Sequence, residues 1–123
     1  MKEEKRPLNQ ADLYQFTGTT CWYRHPLMRK VLYTEGVQYV AEHGQAHWLL
    51  DEIVVAQLLE PKVAAEEFQL WKLSVEHDQS AVLSCEDGNL NTIYQKALDF
   101  TDFPLAQIKL YFTNNVILLP SEY

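Results

Sequence analysis

Three side chains near the middle of the sequence have the types and the spacing of metal ligands. His43, His47 and Asp51 follow one another at intervals of four residues, which would align them on one face of a continuous helix. Such a trio could support metal-assisted hydrolysis. Gly44 lies inside the span, however, and glycine more often ends a helix than continues it. The simpler interpretation pairs His47 with Asp51 and places His43 near a helix C-terminus.

Cys21 and His25 have the residue types of a nucleophile and its base. Four residues of an extended segment span about 13 Å, and no glycine-rich turn that could form an oxyanion hole accompanies them. Cys21 and Cys85 form no C-x-x-C pair, so the sequence does not indicate a disulfide framework or a thiolate zinc site. Both cysteines are expected to be buried packing residues.

Aromatic and cationic side chains interleave between positions 22 and 30. Trp, Tyr and Arg dominate the binding energy of many protein–protein interfaces, and the same mixture could stack on a nucleic-acid base. The simpler interpretation is that a ring fills the core while the cations lie on an ordinary surface. The candidate partner-binding residues are Trp22, Tyr23, Arg24, His25 and Arg29, with Lys30 beside them.

The charge distribution bears on the kind of partner. The chain has 10 Lys and Arg against 17 Asp and Glu, a formal net charge of −7. Its cations are concentrated in the first thirty residues, and the remainder is strongly acidic. An acidic field repels phosphate, so protein binding is favoured over nucleic-acid binding. The same field leaves open an acidic mimic of nucleic acid that inhibits a nucleic-acid-binding protein.

Local patterns in the first half predict short helices and either a hairpin or two short edge strands. Asn9 and Asp12 are typical of a helix N-terminus, here for a helix from Gln10 to about Phe16 that stops at Gly18. Residues 19–24 and 31–33 have strand character. Thr34 is expected to cap a two-turn helix that ends at Gly44. A helix from Ala46 to Glu60 is apolar on nearly every side, so we expect it to lie centrally and to end at Pro61.

The second half has the period of strands. Apolar and polar residues alternate over 71–75 and 81–85, and Asp87-Gly88 is typical of a hairpin turn. The apolar residues in 90–100 fit the spacing of a helix as well as that of a strand. The preceding turn and the flanking strands favour a strand. These patterns predict a single α+β domain over 1–123, with residues 1–7 as a tail. N-terminal helices would pack on one face of an antiparallel, mostly meander β-sheet.

Seven segments between Leu8 and the last residue carry a resemblance to known sequences: Leu8–Thr19, Trp22–His25, Thr34–Val37, Trp48–Asp51, Cys85–Asn89, Thr101–Leu105 and Leu119–Tyr123. They look like a family of small bacterial proteins of unknown function, with relatives on phages and plasmids. That resemblance implies an accessory role and carries over no catalytic or binding residue.

These observations together favour a non-enzymatic cytosolic accessory or regulatory protein that binds another protein. The charged opening segment lacks the apolar stretch of a secretory signal, and no run approaches the roughly twenty apolar residues of a membrane span. No cofactor is expected, because four isolated glycines cannot form a phosphate-binding loop. An exposed strand edge would allow a homodimer.

Overall fold

The computed structural model describes residues 8–17 and 21–123, and its first element begins at a side-chain cap. Asn9 Oδ1 accepts a hydrogen bond from the backbone N–H of Asp12 at 3.1 Å, and Asp12 Oδ2 accepts from the N–H of Asn9 at 3.2 Å. This reciprocal cap opens a 3-10 helix over Gln10–Gln15. The expected stop at Gly18 lies outside the described residues.

Two short strands follow this helix. β1 spans Tyr23–Arg24 and pairs antiparallel with β2, which spans Leu32–Tyr33. A turn closed by a hydrogen bond from the His25 N–H to the Val31 carbonyl joins them. Of the two expected arrangements the structure has the hairpin, with shorter strands, of which only β1 lies at the edge of the sheet. Residues 19 and 20, which were expected to have strand character, lie outside the described residues.

Three helices form the middle of the chain: α1 (Glu35–His43), α2 (His47–Leu59) and α3 (Pro61–Ala64). Thr34 caps α1 through its hydroxyl, which accepts from the Val37 N–H at 3.3 Å, and Gly44 ends that helix as the sequence predicts. Pro61 follows the end of α2 and also starts α3, because its fixed φ suits the first helical position.

Five longer strands complete the elements, together with a 3-10 helix over Pro120–Glu122. Residues 92–98 form a strand, so the choice of strand for this ambiguous segment is confirmed. The strands are β3 (Phe68–Val75), β4 (Ala81–Glu86), β5 (Thr92–Leu98), β6 (Gln107–Thr113) and β7 (Val116–Leu118).

All seven strands belong to one open sheet in the order β1-β2-β7-β6-β3-β4-β5. Every neighbouring pair is antiparallel except β2 and β7, which are parallel. The meander covers β3, β4 and β5. β6 then pairs with β3 instead of β5, after a connection over residues 99–106. The fold class is α+β, as expected, with a less simple strand order than a meander.

The core is built from alternating strand residues and from part of α2. Gln69, Trp71 and Leu73 are buried along β3, while the residues between them are half-buried. α2 contributes buried Leu49, Leu50, Ile53, Val54 and Ala56. Val55, Leu58 and Leu59 of α2 are exposed, so its expected central position is wrong for one side of the helix. No helix of the described residues is both long and apolar enough to span a bilayer.

The last 3-10 helix connects distant parts of the chain. The Glu122 carboxylate accepts from the Thr34 hydroxyl at 2.6 Å and from the N–H groups of Leu119 at 2.9 Å and Gly36 at 3.1 Å. Ser121 Oγ lies 2.6 Å from the Phe16 carbonyl, to which it donates. The N-terminus of α1 is therefore capped by a side chain from the final element as well as by Thr34.

Candidate functional site

A buried histidine and a half-exposed carboxylate form the centre of the candidate site. His25 is 1% exposed, and its Nε2 lies 2.8 Å from Oδ1 of Asp51 on α2. Its Nδ1 accepts from the backbone N–H groups of Leu27 at 3.1 Å and Met28 at 3.4 Å. Because an N–H can only donate, this network assigns the lone pair to Nδ1 and the proton to Nε2, which donates to Asp51.

The three expected metal ligands are not brought together. Asp51 bonds to His25, and no hydrogen bond or ion pair joins it to His47 within the described residues, so the expected His47–Asp51 pair is wrong. His43 Nδ1 is 3.2 Å from the Tyr39 carbonyl, and the two rings stack at 4.0 Å. In the segments 8–17 and 21–123, no three His, Cys, Asp or Glu residues are placed to hold a metal ion.

Two tyrosines lie next to the His25–Asp51 pair. Tyr23 and Tyr33 face each other across β1 and β2, with ring centroids 5.6 Å apart and planes within 19°. Burial raises the pKa of the Tyr33 hydroxyl, and the charges of Tyr23 and Asp51 raise it further. The Tyr33 hydroxyl therefore keeps its proton and is uncharged at physiological pH.

The candidate partner-binding residues divide into exposed and buried members. Trp22 is 53% exposed and Tyr23 38%, and both Arg24 and Arg29 lie at the surface. The Arg24 guanidinium donates to the backbone carbonyl of Arg29, which fixes the shape of this loop. His25 is buried, so its place in the site is to hold the loop against α2 and not to contact a partner.

Four exposed apolar side chains near this pair were not predicted from the sequence: Leu27, Val55, Leu58 and Leu59. We name two groups: the β1 group is Trp22, Tyr23 and Leu27, and the α2 group is Val55, Leu58 and Leu59. The α2 group follows Asp51 along one helix face at the spacing i, i+4, i+7, i+8. One imidazole ring separates the Leu27 backbone from Asp51, so the His25–Asp51 bond connects the two groups. The unusual apolar content of α2 was the available signal.

The two cysteines have different environments. Cys21 is exposed, which contradicts the expectation that both thiols are buried. Cys85 is fully buried, and desolvation raises the pKa of its thiol to about 12, with a smaller contribution from Glu66. Cys85 is thus protonated at neutral pH and cannot act as a nucleophile there.

Clefts of moderate size lie elsewhere on the molecule. The first, of about 310 Å³, lies between the first 3-10 helix and β6 and includes Tyr14, Gln107 and Lys109. Another, of about 300 Å³, includes Lys30, Glu66 and Glu67. Neither of these two clefts includes His25 or Asp51, and the candidate site is the surface built on that pair of described residues.

Comparison with protein families identifies a match over nearly the whole chain. A model of a family of unknown function, DUF6876, matches residues 7–123. No curated protein and no solved structure matches the chain.

Proposed function

The chain belongs to the DUF6876 family, whose function is unknown, and we propose that it is a non-enzymatic cytosolic accessory or regulatory protein that binds another protein. The observation that carries the proposal is the bond between His25 and Asp51. It holds the exposed β1 group against the helix that carries the exposed α2 group. A fixed surface with apolar side chains and flanking arginines is typical of protein recognition.

The energetics of exposed apolar groups support a protein partner. Complete burial of a leucine side chain contributes about 1.5–3 kcal/mol, and Leu27, Leu58 and Leu59 are each more than 60% exposed. Trp22 and Tyr23 add large, stiff rings that lose little side-chain entropy on binding. Arg24, whose guanidinium is already positioned on the Arg29 carbonyl, can bond to a carboxylate or carbonyl of the partner.

The engagement of potential catalytic groups supports binding in preference to catalysis. Both ring nitrogens of His25 are used by Asp51 and the 27–28 backbone, so neither is left to take a proton from a substrate. The Cys85 thiol is buried and protonated. A metal-assisted hydrolase that uses His43, His47 and Asp51 would need a rearrangement of all three side chains.

The proposal also covers the position of the helices on the sheet, the location of the protein in the cell and an association with mobile genetic elements. We infer that the helices lie on one face of the sheet, since Gln57 of α2 bonds to buried Gln69 of β3 and Glu52 of α2 bonds to Lys96 of β5. A cytosolic location agrees with two cysteines that form no disulfide with each other. An association with mobile genetic elements rests on the resemblance to phage and plasmid proteins.

Affinity capture with matched variants tests the proposed surface. Trp22→Ala and Leu58→Ser each remove one exposed apolar side chain, from the β1 group and the α2 group respectively. Leu90→Ser is the control, since Leu90 is 73% exposed in the turn between β4 and β5. We expect a partner that the wild type and L90S retain and that W22A and L58S lose. Titration of the purified partner should then show at least a tenfold loss of affinity in both variants.

The salt dependence of that complex separates the proposal from the acidic mimic. An apolar interface keeps most of its affinity as salt rises, whereas a mimic of nucleic acid would bind through its carboxylates and lose affinity steeply. In the capture experiment, a partner that binds the wild type, L90S, W22A and L58S equally would contradict the proposed surface.

A further inference from the structure

One part of β6 has a strand on only one side. β7 pairs with β6 at Tyr111, Phe112 and Thr113 and extends no further. Residues 107–109 of β6 therefore pair with β3, and no described strand lies along their other edge. An open stretch of strand edge is a template for pairing with another chain.

The backbone groups on this open stretch can be assigned from the ladder. The Ala106 carbonyl accepts from the Val75 N–H of β3 at 2.8 Å. Because backbone groups alternate along an antiparallel strand, those of Ile108 also face β3, and those of Gln107 and Lys109 face away from it. The open edge thus offers two N–H donors and two carbonyl acceptors over about 7 Å, the length of three strand residues.

These backbone groups border the cleft of about 310 Å³ described above. Leu13, Ile108 and Leu119 are buried side chains that provide its apolar lining, and Tyr14, which is 70% exposed, also lines it. An extended segment could pair with the edge of β6 and place one apolar side chain over Ile108. Strand addition of this kind combines backbone hydrogen bonds with pockets for alternate side chains.

The charges beside the cleft indicate an acidic occupant. Lys109 lies directly opposite Lys72 in the β3–β6 register, and like charges in this position are destabilising. Within the described residues no ion pair joins either lysine to a carboxylate. The residues in line with these two lysines on the neighbouring strands are Ser84 of β4 and Gln95 of β5, and both are uncharged. An incoming carboxylate next to Lys109 would relieve the repulsion between the two ammonium groups.

We propose that the cleft binds an extended peptide of another protein, which adds a strand to residues 107–109 of β6. The peptide has an apolar residue opposite Ile108 and acidic residues on either side of it, one of them opposite Lys109. This site is separate from the β1 and α2 groups and does not rest on the proposed function.

Titration of the full chain with a short peptide, followed by amide NMR, tests the site. The probe is acetyl-Thr-Glu-Val-Glu-Thr-amide. Its control is the same peptide with both glutamate backbone nitrogens methylated, which keeps charge and shape but removes the two donors. We expect the probe to shift the Gln107 and Lys109 amide signals and to slow their exchange with solvent. The methylated peptide should bind at least tenfold more weakly.

Matched protein variants test the charge argument. Lys109→Gln should weaken probe binding at least threefold, whereas Lys62→Gln removes an exposed cation elsewhere and should leave binding unchanged. W22A should bind the probe like the wild type, which separates this site from the proposed function. Equal binding of the two peptides would overturn the proposal. So would signal changes confined to other residues, or concentration-dependent protection of the two amides without peptide, which would indicate a second copy of the chain.

Discussion

The His25 imidazole donates to the Asp51 carboxylate over 2.8 Å although 26 positions separate the two residues. The buried ring and the half-exposed carboxylate thereby attach the β1–β2 turn to α2. In residues 8–17 and 21–123 it is the only side-chain hydrogen bond between these two elements, and the first prediction follows from it.

Replacement of Asp51 should destabilise the fold moderately. Asp51→Ala leaves the buried Nε2–H of His25 without its acceptor, and we expect a loss of about 1–2 kcal/mol in the free energy of unfolding by urea. Asp51→Asn keeps an acceptor oxygen and should lose less. Asp99→Ala is the control, since Asp99 is exposed beyond the end of β5. Equal stabilities of D51A and D99A would show that the contact contributes nothing.

A glycine pair tests the packing at the start of α1. A Cβ on Gly36 would lie 2.6 Å from Leu119 Cδ1 and 2.9 Å from the Glu122 carboxylate, whereas a Cβ on Gly88 would meet nothing within 4 Å. Gly36→Ala should therefore lower the free energy of unfolding by about 1–3 kcal/mol. Gly88→Ala should change it by less than about 0.5 kcal/mol. Thermal and urea unfolding of both variants measure the difference, and a G36A protein as stable as G88A would contradict the packing.

The Glu122 carboxylate should contribute more than an ordinary surface charge. It accepts from Thr34, Gly36 and Leu119, so Glu122→Ala leaves three donors without this acceptor. We expect a loss of about 1.5–3 kcal/mol in the free energy of unfolding. Glu67→Ala removes an exposed carboxylate between α3 and β3 and should be nearly neutral. If E122A and E67A unfold at the same urea concentration, the carboxylate does not hold α1.

The two thiols should react at very different rates. Exposed Cys21 should react with a chromogenic disulfide reagent at pH 8 within minutes, while Cys85, buried and with a pKa of about 12, should react only on unfolding. Cys21→Ser should abolish the fast phase. A fast phase that persists in C21S would mean that Cys85 is accessible.

The same thiol gives a pH dependence with a definite sign. The Cys85 pKa is about 12 in the folded chain against an ordinary value of 9.0, so the unfolded chain releases this proton first as pH rises. Stability from this group is complete below pH 9 and falls between pH 9 and about 12, by about 1.4 kcal/mol per pH unit at most. Cys85→Ala should be less stable at pH 7 but should show a shallower decline above pH 9, measured by urea unfolding.

Local features of the sequence predicted much of the fold. Thr34 and Gly44 mark the ends of α1 because capping depends on residues within one turn. Asn114 and Asn115 both have positive φ in the turn before β7, as that dipeptide indicates. The parallel pairing of β2 with β7 was not predicted, because a contact over more than eighty residues leaves no local pattern.

The candidate site was predicted only in part. The exposed rings of Trp22 and Tyr23 were identified from composition, but the partner of His25 was not. The spacing of four residues between His47 and Asp51 predicted a contact along one helix. Asp51 instead bonds to His25 in the turn between β1 and β2. Side chains that meet through tertiary packing are invisible to periodicity.

The capping of α1 by Glu122 has a consequence for biosynthesis. α1 lies in the first half of the sequence, but Glu122, which caps it, is translated nearly ninety residues later. β2 likewise cannot pair with its parallel neighbour β7 until residues 116–118 have been made. A nascent chain that has left the ribosome only as far as residue 110 therefore has α1 without its second cap and β2 without its parallel neighbour. The exposed edge of β2 is then open to pairing with another chain until β7 can fold against it.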